Sequence, residues 1–256
     1  MAWDTRGIDY EHYRRFDQLL ELHKLTQAWI GELNSVGKDR ASHALDRGLS
    51  RELTDRLFML DSLGRGGLGA LVDDTSTADV LIGLERTAWS LQAYTLAKLE
   101  ERTQDPESSA TLRSVLEQTS WKLGRNYANK RWPELRDATR RNISQLILTL
   151  NDTPFGNGPT HSTHLLLIRV TEHEACFEML QCPHQQAFNE VSAVADALCN
   201  LHSHWLKGFA YGLNPAITVH ATLKTHGGGR CRHQWHLSEL RTSQTRPTLL
   251  DHSVSR

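Results

Sequence analysis

Asn151-Asp152-Thr153-Pro154-Phe155-Gly156-Asn157-Gly158-Pro159 divides this chain into two unlike parts. Its prolines, glycines and asparagines favour turns, and no helix or strand accommodates them. Upstream, apolar residues recur every three or four positions. Phe16, Leu20, Leu22, Leu25, Trp29 and Leu33 do so from Tyr13 onward. Leu53, Leu57 and Leu60 do so over Arg51 to Leu63, with Ser50 as N-cap and Gly64 past the end. The pattern continues over Ala78 to Glu101 and over Ser109 to Lys130, with Pro106 in the turn between them. Pro133 opens a further helix to Leu150, at the first helical position where proline is tolerated.

Downstream the period shortens. Leu165 to Val170 and Ala175 to Leu180 are β-prone runs joined by four polar residues, which predicts an antiparallel hairpin. Gln185 to Tyr211 returns to helical spacing and is expected to end near Gly212. Ile217 to Leu223 and Cys231 to Leu237 flank a glycine-rich reversal and form a second pair of strands. The fold class expected is α+β. A helical region over 1–155 precedes a hairpin-helix-hairpin antiparallel sheet over 160–240 with helices packed on one side, and a flexible tail follows over 241–256.

A chain of 256 residues, 39% hydrophobic and 23% charged, is apolar enough to bury a core and too charged and interrupted to be a membrane protein. A formal charge of -1 supplies no field for phosphate backbones or anionic lipid, so nucleic acid and membrane are disfavoured as partners. The N-terminus lacks a basic segment followed by an apolar run, and the expectation is a soluble cytoplasmic protein.

All four cysteines fall in the last third, and ten of the fourteen histidines, from His161 to His236, accompany them, so chemistry is expected there. Cys199 and His202 lie three apart on a helical segment and share a face. An imidazole beside a thiol can take its proton and leave a nucleophilic thiolate. The same donors could hold a metal with Cys182, Cys231 or His233, or simply pack in the core, and spacing does not choose between these. Cys231, His233 and Trp235 share one strand face, while Arg232, Gln234 and His236 share the other. If the first face is inward, it borders a pocket between sheet and helix. Gly64-Arg65-Gly66-Gly67-Leu68-Gly69 matches a dinucleotide fingerprint as text, but a helix precedes it where the motif needs a strand.

Several short strings together resemble the L-2-amino-thiazoline-4-carboxylic acid hydrolase family of bacteria. They are Cys182-Pro183, Leu198-Cys199 with a polar residue three positions on, Gly208-Phe209, Asn214-Pro215 and Gly227-Gly228-Gly229-Arg230-Cys231. Residues 110–238 fit the pattern, including Gly124, and the first 100 residues have no counterpart. The position three after the middle cysteine is usually acidic in that family and is His202 here, followed by His204.

The resemblance implies a cytoplasmic hydrolase that opens a cyclic amidine or related C–N bond of a small-molecule substrate, in a bacterial biosynthetic setting. Cys199 and His202 are then the catalytic pair, with Cys182 and Cys231 supplying a second thiol or lining the pocket. Arg230 or Arg232 would hold a substrate carboxylate, with Asn214, His233, Trp235 and His204 as further substrate contacts. The thiolate route needs no cofactor. A metal-dependent tailoring enzyme of the same family, using a divalent ion, and a non-catalytic ligand-binding sensor are the alternatives. A homodimer through the N-terminal helices is expected if apolar surface beside Trp29 is exposed.

Overall fold

The computed structural model describes residues 10–39, 77–102, 105–133, 143–155, 165–179, 192–222 and 231–237. The fold is α+β, with helices first and a four-stranded antiparallel sheet last. The helix expected over Arg51 to Leu63, the Gly64 to Gly69 string and the tail over 241–256 lie outside the described residues, as do parts of the segments opened by Pro133 and Gln185.

Helix α1 spans Tyr10–Asp39 and buries Phe16, Leu22, Leu25, Trp29 and Leu33, the stripe its spacing predicts. Trp29 is fully buried, and its indole N–H donates to Ser120 Oγ at 2.9 Å, so it offers no apolar surface to a second copy. Helix α2 spans Thr77–Arg102 and packs along α1.

Helix α3 spans Pro106–Arg131, and here the sequence expectation needs correction. Pro106 is not in the turn; it is the first helical residue. Asp105 caps it, accepting from the backbone N–H groups of Ser108 at 2.9 Å and Glu107 at 3.3 Å. The Ser108 hydroxyl, together with those backbone bonds, favours the ionised carboxylate and holds Asp105 below the usual aspartate range. A short helix α4, Ile143–Ile147, runs into a 3-10 turn over Leu148–Asp152. The Tyr127 hydroxyl of α3 donates to the Asp152 carbonyl at 2.8 Å and pins that turn.

The strands are β1 Leu165–Val170, β2 Glu174–Met179, β3 Ile217–Thr222 and β4 Cys231–Leu237, in the spatial order β1-β2-β4-β3. The two hairpins are therefore joined through β2 and β4, with Phe177 opposite His233 and Ala175 opposite Trp235. A register shift between Leu167 and Arg169 bends β1 at the sheet edge. Ala175, Phe177, His233, Trp235 and Ile217 are buried on the face toward the helices, whereas Thr218, His220 and Arg232 are exposed on the other.

Helix α5, Ser192–Leu213, lies between the sheet and the other helices. It ends at Leu213, near Gly212 as the sequence predicts, and Asn214 closes it: its N–H bonds to the Ala210 carbonyl at 2.9 Å, and its Oδ1 accepts from the Ala216 N–H at 2.9 Å. The glycines serve a different purpose, a close approach of α3 to α5. A Cβ at Gly124 would collide with the Trp205 carbonyl, one at Gly208 with the Trp121 carbonyl, and one at Gly212 would lie 2.7 Å from the Arg125 carbonyl. Only residues without a side chain let the two backbones meet there.

Candidate functional site

Helix α5 carries Cys199 and His202 one turn apart on its buried face, and both are nearly inaccessible. The imidazole of His202 sits in an aromatic enclosure. It stacks on Trp29 at 6.0 Å between centroids, meets Trp89 edge-on at 5.0 Å and contacts Phe155 at 4.6 Å. Phe155 comes from the turn-forming stretch that divides the sequence, so that segment closes one wall.

A directed chain of hydrogen bonds orients this ring. His202 Nε2 is 3.0 Å from Gln92 Oε1, Gln92 Nε2 is 3.0 Å from Thr26 Oγ1, and Thr26 Oγ1 is 3.1 Å from the Leu22 carbonyl. The Leu22 carbonyl can only accept, so Thr26 donates to it. Gln92 Nε2, which also reaches that carbonyl at 3.4 Å, donates to Thr26. Gln92 Oε1 is then an acceptor, and His202 donates from Nε2. In the neutral ring the lone pair is on Nδ1. The sequence reading missed Gln92, Thr26 and Trp89, which come from helices remote along the chain and carry no motif.

His233 and Trp235 occupy the inner face of β4, as their alternation predicts. His233 stacks on Phe177 at 5.2 Å and 14°. Burial, with Lys207 nearby, lowers its pKa from 6.5 to about 4, so it is neutral at pH 7. A continuous run of rings links the two buried imidazoles: His202 to Phe155, Phe155 to Trp205, Trp205 to Phe209, Phe209 to Trp235, Trp235 to Phe177 and Phe177 to His233. The two histidines thus belong to one core, at opposite ends of that run.

The other residues singled out by the sequence lie elsewhere. Arg232 is exposed on the outer sheet face, its Nε donating to Glu178 at 2.9 Å, and is not brought to Cys199. His204 turns toward α3, with Nδ1 3.0 Å from the Asn200 carbonyl and Nε2 3.8 Å from Glu117. Asn214 is buried as the helix-ending residue already described. Cys182 and Arg230 lie outside the described residues. Cys231 opens β4 opposite Met179. Among the described residues, no three His, Cys, Asp or Glu side chains group to hold a metal ion. No helix among them is long and apolar enough to cross a membrane.

A cleft between α1, α2 and the turn at Pro154 was not foreseen from the sequence. Arg15, Gln18, Leu19, Leu22, Leu81, Glu85 and Pro154 line it. Glu85 accepts from the Trp89 indole N–H at 3.3 Å, and burial pushes its pKa from 4.5 up to about 7 against the opposing pull of Arg15. Trp89 therefore touches both the cleft carboxyl and the His202 ring. Compared with known protein families, curated proteins and solved structures, the chain matches none.

Proposed function

We propose that this protein is a small-molecule hydrolase similar to the L-2-amino-thiazoline-4-carboxylic acid hydrolases, opening a cyclic amidine or a related C–N bond with Cys199 and His202. The observation that carries the reading is the placement of a thiol and an imidazole one turn apart on α5, with the imidazole tautomer set by Gln92. Held in that form, His202 has its basic nitrogen at Nδ1, the atom that would take the thiol proton on a turn of the Cys199 side chain toward it, the two making no hydrogen bond as they stand.

The reaction balances without a cofactor. The thiolate adds to the ring carbon between nitrogen and sulfur, and the carbon–nitrogen ring bond breaks as the imidazolium gives its proton to the leaving nitrogen. Water then adds to the same carbon, and expulsion of the Cys199 thiolate, reprotonated through His202, frees the carbamoyl thioester product. Enclosure by Trp29, Trp89 and Phe155 keeps bulk water from the imidazole and strengthens its interactions with developing charge.

Ring opening of an aminothiazoline carboxylate, followed by absorbance, tests the proposal. Turnover by the native chain with a loss of about a thousandfold or more in Cys199→Ser is expected. Full turnover in Cys199→Ser would overturn the thiolate role, and tight binding of the amidine with no turnover by the native chain would make the protein a ligand-binding module.

A further inference from the structure

The outer face of the sheet, turned away from the helices, carries two histidines that the proposed hydrolysis does not use. His220 on β3 is exposed and His236 on β4 is half-buried. The register sets His220 opposite Gln234 and Thr218 opposite His236, so the two imidazoles are diagonal neighbours on one face. Their ring centroids lie 6.0 Å apart, with the planes at 64°. Thr218 Oγ1 bonds to the backbone carbonyl of His236 at 3.3 Å, and among the described residues neither ring makes a hydrogen bond or an ion pair. The two arginines carried by the strands are each answered by a carboxylate. Arg232 Nε donates to Glu178 at 2.9 Å, and Arg169 lies 3.4 Å from Glu174, which stands opposite His236 on β2.

We infer that His220 and His236 form a two-imidazole site for a borderline divalent transition-metal ion such as zinc, bridging β3 and β4. Imidazole nitrogen suits such ions, whereas hard cations select carboxylate and carbonyl oxygens. With zinc–nitrogen bonds of about 2.0–2.1 Å, two imidazoles on one ion bring their centroids to roughly 5 Å. The rings stand about 1 Å wider than that, a gap that a rotation of the exposed His220 side chain closes without moving either strand. No third His, Cys, Asp or Glu joins them among the described residues, so the remaining coordination positions fall to water. Two donors fixed on one sheet make the second bond intramolecular, and the pair holds an ion that a single surface imidazole releases. The site lies on the opposite side of the sheet from α5 and Cys199, and stands or falls without the proposed hydrolysis.

Zinc chloride titrated into the full chain, followed by NMR of the histidine ring protons, tests the inference. His220→Gln and His236→Gln each identify one signal, and thermal melts of both variants verify the fold. In the native chain the two signals should move together along one saturating curve. In either variant the surviving ring should need at least about tenfold more zinc to shift. Magnesium, an oxygen-seeking ion of the same charge, should move neither signal. Native signals that titrate independently, a surviving ring that keeps the native affinity, an equal response to magnesium, or zinc uptake that leaves both rings unmoved would each overturn the assignment.

Discussion

His202 on α5 donates from Nε2 to Oε1 of Gln92 on α2 at 3.0 Å, and the direction of that bond is settled two residues away by a carbonyl that can only accept. A buried ring is thereby held in one tautomer by groups that do no chemistry themselves.

Replacing Gln92 by Leu keeps most of the volume and removes the acceptor. The buried N–H of His202 then has no oxygen in that direction, and the loss should be about 1–3 kcal/mol of folding stability, read from urea denaturation. Gln92→Glu should retain stability at neutral pH and shift the imidazole titration upward, measurable by NMR. An unchanged midpoint in Gln92→Leu would mean the ring turns to another partner.

Glycine substitutions separate close approach from mere helical position. Gly124→Ala and Gly208→Ala force carbonyl oxygens of the facing helix aside and should each cost more than about 3 kcal/mol. Gly31→Ala has nothing within 4 Å and lies in the exposed part of α1, so it should stabilise by about 0.5–1 kcal/mol. Thermal melts of the three variants decide the matter.

One buried group and one half-buried group give opposite slopes of stability against pH. His233 has its folded pKa lowered from 6.5 to about 4, so its contribution is whole above 6.5 and is lost as pH falls toward 4, on the order of 3 kcal/mol. Glu85 has its folded pKa raised from 4.5 to about 7, so its contribution is whole below 4.5 and is lost as pH rises through 7. His233→Phe should flatten the acid limb and Glu85→Gln the neutral limb. A native profile that neither variant alters would remove both assignments.

Much of the architecture was legible because it depends on local periodicity. β1 falls on the β-prone run and β4 on the alternating one that the sequence marks, and α1 buries the stripe its spacing predicts. Pro106 misled because the same residue serves in turns and at a first helical position, and only the Asp105 cap distinguishes them. Gly212 marked the end of α5 to within a residue, but its close approach to α3 is a tertiary contact that no spacing announces. The site was legible only at Cys199 and His202, which share one segment. Gln92, Thr26 and Glu85 acquire their roles from burial against residues far along the chain, and no spacing announces that. Trp29 and Trp89 are core residues, as their helical spacing suggests, and they also enclose His202.

The proposed chemistry depends most directly on Cys199, and acid-quenched turnover of an aminothiazoline carboxylate followed by mass spectrometry of the protein tests it. A covalent adduct localised to the peptide bearing Cys199, absent from Cys199→Ser and accumulating when His202 is replaced by Gln, is the predicted result. Product formation at the native rate by Cys199→Ser, with no adduct on the native chain, would contradict it.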